Sequence, residues 1–293
     1  MNQQPKEIAS FSEILDKYDN FIFDCDGVVW KGHTHIESGF FALNKLKSLN
    51  KNVFFITNNS AKSRKEYHEK FLGFGYDGDI ENIYPMSSVG PQYIKAAHPH
   101  VKKIYGVGMD GLFEEIKNAG FEAVGGNHES TKTLSTEEDF RLMKVDQGID
   151  AVLLGFDMGF NYYKMAYASL CIQNGAHFFA ISGEPFDIVG DKKIPGGGSA
   201  VTALHTACGV QPTFLGKPNK YVIDLILEKH GLDPKRTLMT GDRINTDILL
   251  GKEGGVDTCL VFTGVTTRAA AEEEFKTENP IIPDYICEAL GME

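Results

Sequence analysis

The chain has 293 residues, 42% hydrophobic and 24% charged, with 31 glycines and 11 prolines; this suits one large or two ordinary globular domains and excludes a disordered, collagenous or disulfide-stapled chain. Lysine and arginine total 29 against 40 acids, a formal net charge of −11, so the average surface repels polyanions and argues against a nucleic-acid partner. A small anionic substrate would have to be attracted locally, by a lysine, a metal ion or backbone N–H groups.

The first twenty residues lack both the apolar run of a secretory signal and the Arg-rich, acid-poor character of a transit peptide. No stretch approaches the roughly eighteen apolar residues of a membrane span. Cys25, Cys171, Cys208, Cys259 and Cys287 are scattered, with no CxxC pair, which fits a reducing compartment. The expectation is a cytoplasmic protein with no membrane partner.

Predicted strands fall at 21–24, 53–57, 104–107, 151–156, 177–181, 213–215, 237–240 and 258–262. Predicted helices alternate with them at 40–49, 62–71, 89–97, 111–119, 162–173, 200–208, 220–230 and 246–253. That alternation predicts an α/β fold, a mostly parallel sheet covered by helices. Turn-rich stretches at 209–212 and around His98-Pro99-His100 read as interdomain crossings, and the polar run 125–139 reads as a mobile loop.

Four strand ends carry chemistry. In FIFDCDGVVW, Asp24 closes an apolar strand and Asp26 follows two residues later, before Gly27. Ligands of open parallel sheets sit beyond the carboxyl ends of strands, and unpaired acids are costly to bury there for packing alone. One carboxylate can attack phosphorus, and its neighbour can protonate the leaving oxygen and then activate water. An ordinary Asp/Gly turn is the plainer alternative. Thr57-Asn58-Asn59-Ser60 follows a second strand, where hydroxyl, amide and backbone donors suit a phosphate, or simply cap a helix. Gly216-Lys217-Pro218 offers an ammonium able to hold both a carboxylate and a phosphate, although surface lysines are common. Gly241-Asp242 is placed to ligate a cation, and Asp247 to support Lys217 or the metal shell, or merely to start a helix.

In this order, DxD, TNNS, GKP and GDxxxxD resemble the haloacid dehalogenase superfamily of phosphohydrolases over most of the chain. DGVVWKG at 26–32, ITNNSAKSR at 56–64 and GDRINTDILLG at 241–251 are similar to the branch of phosphoglycolate phosphatase, 4-nitrophenylphosphatase and pyridoxal phosphate phosphatase. The resemblance implies a Rossmann-like parallel-sheet core at 1–98 and 212–293, with an α/β cap inserted at 99–211. It implies Asp24 as nucleophile and Mg²⁺ ligand, and Asp26 as acid/base and donor of a backbone carbonyl to the metal. Thr57, Asn58, Asn59 and Lys217 would bind the phosphoryl group, Asp242 would complete the protein ligands, and Asp247 would support them. Asn245 stands where relatives often carry an acid; with Asp242 and Asp247 retained, Mg²⁺ binding is expected to survive.

The implied substrate is a small phosphorylated metabolite: phosphoglycolate or an aryl phosphate first, pyridoxal phosphate and glycerol or triose phosphates next. The expected specificity loop of the cap contains Glu184, Pro185, Phe186 and Asp187. Its two acids disfavour a second substrate carboxylate unless Lys62, Arg64 or Lys192 answers it. Capped members of this branch often pair, which implies a homodimer through the cap. A phosphometabolite-binding protein without turnover is the alternative class.

Other motifs invite different readings. Gly106 to Gly111 satisfies GxGxxG, the basis for a nicotinamide oxidoreductase, but also reads as a tight strand-to-helix turn. Pro195 to Ser199 offers another anion turn or a structural passage back to the core. His33-Thr34-His35 and His98-Pro99-His100 suggest transition metals, yet no third ligand has a fitting spacing, and solvated histidines are the simpler reading.

Overall fold

Asn20–Asp24 is buried along its whole length, the pattern of a parallel strand covered on both faces. In the computed structural model, which describes residues 4–189 and 192–291, this strand lies within a seven-stranded sheet. The order is Lys6–Glu7, Tyr285–Cys287, Asp257–Val261, Thr237–Gly241, Asn20–Asp24, Asn52–Thr57, Ile83–Pro85. Phe23 faces Phe55 on one side and Thr240 on the other in parallel register. Phe21, Phe23, Phe55 and Phe71 join Trp30 in a continuous aromatic core.

From Asn20–Asp24 the chain first adds strands on one side, then returns to add Thr237–Gly241 on the other. The crevice at such a reversal, beyond the strands' carboxyl ends, is where open α/β sheets take ligands.

A second sheet has the order Thr213–Phe214, His177–Ala180, Ala151–Leu154, Lys103–Val107, Glu122–Val124, and its pairings are also parallel. Helix Tyr162–Gln173 packs Tyr167, Ala168, Cys171 and Ile172 into its core.

Contacts divide the chain into two compact units. One takes the described residues up to Thr57, His68–Tyr84 and those from Lys217 on; the other takes Asn58–Tyr67 and Pro85–Gly216. The chain thus changes unit at 57/58, 67/68, 84/85 and 216/217, whereas the turn-rich stretches suggested 98 and 212. Strand Thr213–Phe214 pairs with Ala180 and Phe179 of the second sheet, and helix Met86–Ala97 also belongs to the second unit.

The polar run 125–139 is more ordered than its composition suggests. Glu129 is buried and accepts the Tyr105 hydroxyl at 2.8 Å. Thr136 then caps helix Glu137–Leu142 through a reciprocal bond pair with Asp139. Short strands at Ile83–Pro85, Glu122–Val124 and Tyr285–Cys287, and helix Arg268–Glu274, were not distinguishable from loop by periodicity.

Candidate active site

Asp24 is the last residue of its strand, Thr57 the last of the adjacent one, and Gly241 ends the strand on the other side. Parallel register therefore brings Asp24, Thr57 and Asp242 to one edge of the sheet. Lys217 lies buried among them, its Nζ donating to Asp24 Oδ1 at 2.5 Å and to Asp247 Oδ1 at 2.7 Å. The Lys217–Pro218 peptide is cis. Asp247 rides on a π turn, Ile244–Ile248, ahead of α-helix Leu249–Glu253, where the sequence predicted one continuous helix. The turn carries the Asp247 carboxylate back to accept the Arg243 N–H through Oδ2 at 3.0 Å.

Asp26 is oriented from two sides. Trp30 Nε1 donates to its Oδ1 at 2.9 Å and the Thr57 hydroxyl to its Oδ2 at 3.3 Å. Trp30 is itself buried, with the Lys70 ammonium 3.7 Å from its ring centroid. Sequence reading passed over Trp30; its signal was an indole four residues beyond an exposed-end acid.

Asp242 is seated by a turn that also went unread, Thr263 to Thr266. The Val265 N–H donates to Asp242 Oδ2 at 2.6 Å, and the Thr266 N–H to the Asp242 carbonyl at 3.1 Å. Glycine is required on both flanks: a Cβ on Gly264 would lie 1.9 Å from Asp242 Oδ2, and one on Gly27 2.6 Å from the same atom. Gly27 also has φ +89°, a left-handed conformation that other residues resist. Asp242 Oδ1, though buried, has no hydrogen-bond partner among the described residues.

Carboxylate oxygens of Asp24, Asp242 and Asp247 lie within 4.8 Å of one another. Burial holds the Asp24 carboxyl well above the usual range; Lys217 pulls it down, while Asp247, Asp242 and Asp26 add to the rise. Burial, with Asp247 beside it, pushes Asp242 up to about 7, and the Val265 N–H only partly counters this. Buried acids in excess of their ammonium, one with an unsatisfied oxygen, fit a hard divalent cation such as Mg²⁺.

Asn58 and Asn59 continue the chain from Thr57 but are counted with the second unit. There the segment is held closely. Ser60 Oγ accepts the Phe156 N–H at 2.9 Å, Glu115 accepts the Arg64 N–H at 2.6 Å, and the Tyr67 hydroxyl donates to the Asn59 carbonyl at 3.2 Å. The last glycine of GxGxxG serves this packing, since a Cβ on Gly111 would overlap the Lys62–Ser63 backbone at 2.3 to 2.5 Å.

The loop holding Glu184, Pro185, Phe186 and Asp187 also lies in the second unit and enters the hairpin of Phe186–Val189 with Lys192–Pro195. Ser182 Oγ bonds Glu184 Oε2 at 3.1 Å, and the Pro195 to Ser199 turn supports the loop: Gly198 N–H donates to the Glu184 carbonyl at 2.9 Å and Ser199 Oγ to that of Pro185 at 2.7 Å. Of the other histidine pairs, His35 packs its ring between Phe40 and Phe74 at 5.3 and 5.5 Å.

A model of haloacid dehalogenase-like hydrolases matches residues 21–122, and a companion HAD-hydrolase-like model matches 214–291. The chain is 37% identical over 284 residues to chloroplastic phosphoglycolate phosphatase 1A of Arabidopsis thaliana, covering 96% of this chain and 77% of the relative. It is 35% identical over 292 residues to 4-nitrophenylphosphatase of Schizosaccharomyces pombe, covering 98% and 96%. The p-nitrophenyl phosphatase structure from Archaeoglobus fulgidus superposes with TM-score 0.79 at 29% identity, covering 94% of this chain and 97% of that one. With Asp24 and Asp242 at one sheet edge and Lys217 buried beside Asp24, the chain belongs to the haloacid dehalogenase-like hydrolases and is a phosphatase.

Proposed function

We propose that the chain is a Mg²⁺-dependent phosphomonoester hydrolase that acts through an aspartyl phosphate on small phosphorylated metabolites, 2-phosphoglycolate and 4-nitrophenyl phosphate first among them. The observation that carries this reading is Lys217, fixed at 2.5 and 2.7 Å between Asp24 and Asp247 beside the unsatisfied Asp242 oxygen.

An Asp24 oxygen attacks phosphorus, and its new P–O bond forms as the ester P–O bond breaks. Asp26 passes its proton to the departing oxygen. In the second half, Asp26 takes a proton from water as that water attacks phosphorus; the acyl-phosphate P–O bond breaks, its electrons return to Asp24, and inorganic phosphate leaves. Trp30 and Thr57 hold the Asp26 carboxyl in one orientation for both transfers. Lys217 keeps Asp24 in place and sets a positive charge beside the transferring group, which Thr57, Asn58 and Asn59 bind with hydroxyl, amide and N–H donors.

Asp24, Asp242 and the Asp26 carbonyl would hold the Mg²⁺, with Asp247 in support. When bound, the cation would offset the repulsion between carboxylate and anionic ester.

In this reading the second unit is the cap, and the loop from Glu184 to Asp187 discriminates among leaving groups. The relatives' names support phosphoglycolate and aryl phosphates. The two loop acids favour an uncharged leaving group, as in glycerol or triose phosphates, with pyridoxal phosphate also in the panel. A homodimer through the cap and a cytoplasmic location complete the reading; among the described residues no helix is long and apolar enough to cross a membrane.

Phosphate release from 4-nitrophenyl phosphate tests the chemistry. Turnover is expected with Mg²⁺, none with EDTA, and a fall of at least about 10⁴-fold in Asp24→Asn, the scale seen when a nucleophile is removed. Full activity in that variant, or in EDTA, overturns the mechanism. Comparing kcat/KM across the phosphate panel then ranks the substrates.

A further inference from the structure

Sequence spacing left His98 and His100 without a third partner; the fold supplies one. His98 caps the end of helix Met86–Ala97, and His100 lies in the turn before strand Lys103–Val107. That strand pairs with Ala151–Leu154, which pairs in turn with His177–Ala180 in a register that sets His177 opposite Ala151. All three imidazoles thereby meet at the amino edge of the second sheet, opposite the edge where its strands run into Gly108, Gly155 and the Glu184 loop.

Ring nitrogens of His98, His100 and His177 lie within 4.8 Å of one another, the first half-buried and the others exposed. His100 Nε2 and His177 Nε2 face each other at 3.1 Å. The His98 ring centroid is 4.9 Å from that of His177 and 5.9 Å from that of His100, and Phe179 packs edge-on behind it at 5.0 Å. Two nitrogens aimed at each other at this separation can share one proton. They can equally share a cation about 2.0–2.1 Å from each, since tetrahedral geometry at that bond length separates ligand atoms by about 3.4 Å.

We propose that His98, His100 and His177 form a binding site for a late first-row transition-metal cation, Zn²⁺ above all, separate from the carboxylate cluster around Asp24. Three imidazoles with no carboxylate among them select borderline-soft ions over Mg²⁺. Water would take the open fourth position, and two of the three ligands are already exposed to a metal arriving from solvent. Because His98 ends a helix and His177 begins a strand, the bound ion would cross-link two elements of the second unit and stabilise it.

Zn²⁺ titration of the full chain by calorimetry, with excess Mg²⁺ present to occupy the oxygen site, tests this directly. The wild type is expected to bind one Zn²⁺ that His177→Ala and His100→Ala bind at least about tenfold more weakly, a loss that even an outer-shell partner's removal causes. Co²⁺ should give an intense tetrahedral visible spectrum in the wild type that is absent from both variants. Zn²⁺ should raise the melting temperature of the wild type more than that of either variant, while their melting without metal confirms that they are folded. Equal Zn²⁺ isotherms for the three proteins, or a Co²⁺ spectrum unchanged by the substitutions, would overturn the site. Neither readout depends on turnover, so failure here leaves the phosphatase reading untouched.

Discussion

Both parallel sheets of this chain reverse their strand order next to a central strand, yet the two reversals hold opposite chemistry. In the first, strand ends deliver Asp24 and Asp242, with Lys217 buried between acids. In the second, the corresponding ends run into Gly108 and Gly155, and the gap is closed from within the same unit. A Cβ on Gly155 would meet Ser60 Oγ at 2.4 Å, and one on Gly108 would meet Leu112 at 2.6 Å. One topology therefore yields a polar site where acids interrupt the apolar run and a packed joint where glycines do. Architecture offers a crevice, and residue chemistry decides whether it remains a site.

The sharpest way to break this contrast is to bring a side chain into the polar reversal. Gly264→Ala places a methyl group 1.9 Å from Asp242 Oδ2, so Asp242 must move. Activity with Mg²⁺ is expected to fall by about 10–100-fold with a weakened apparent Mg²⁺ affinity; an unchanged Mg²⁺ titration would show that Asp242 need not sit where it does.

The charge imbalance at the first reversal has a pH signature. Asp242, ordinarily at 3.8, is raised to about 7 by burial and the neighbouring Asp247, so the folded chain holds this proton more tightly than the unfolded one. That stabilisation is complete below 3.8 and is lost as pH rises through about 7. In the proposed site Mg²⁺ would compete with this proton, so its stabilising effect, about 2.7 kcal/mol at a hundredfold excess over Kd, should develop across the same window. Melting temperatures with Mg²⁺ and with EDTA should diverge between about pH 5 and about pH 8; a larger Mg²⁺ effect at the acid end would contradict the assignment.

The packed joint should respond more mildly. Ser60→Ala leaves the Phe156 N–H without its acceptor, an expected loss of about 1–2 kcal/mol by denaturant melting. If the joint also positions Asn58 and Asn59, kcat/KM should fall by less than about tenfold, since no group in contact with substrate is removed. Unaltered stability would show that this hydroxyl does not hold the loop.

The polar reversal was legible in the sequence because acids at the ends of apolar strands break a strong local pattern, and Asp24, Asp242 and Thr57 stand where strand prediction put them. Lys217 was legible as a residue but less so as a neighbour: the strand before it, Thr213–Phe214, joins the second sheet. Trp30 and Val265, and the bond of Ser60 to Phe156, escaped because they act through an indole, a backbone N–H and a hydroxyl whose partners are set by tertiary contact. His177 escaped for the same reason, since only the order of three parallel strands brings it to His98 and His100. Short edge strands such as Glu122–Val124 carry too few residues for periodicity to show.

Trp30 is the only tryptophan in the chain, and its indole N–H ends on the Asp26 carboxylate. The protein thus carries a single indole fluorophore, which can be excited apart from its tyrosines, hydrogen-bonded to the residue proposed to move protons. Emission on adding orthovanadate, a phosphate mimic, with Mg²⁺ should shift in the wild type and stay flat in Asp26→Asn, giving an optical readout of site occupancy that needs no label and no turnover.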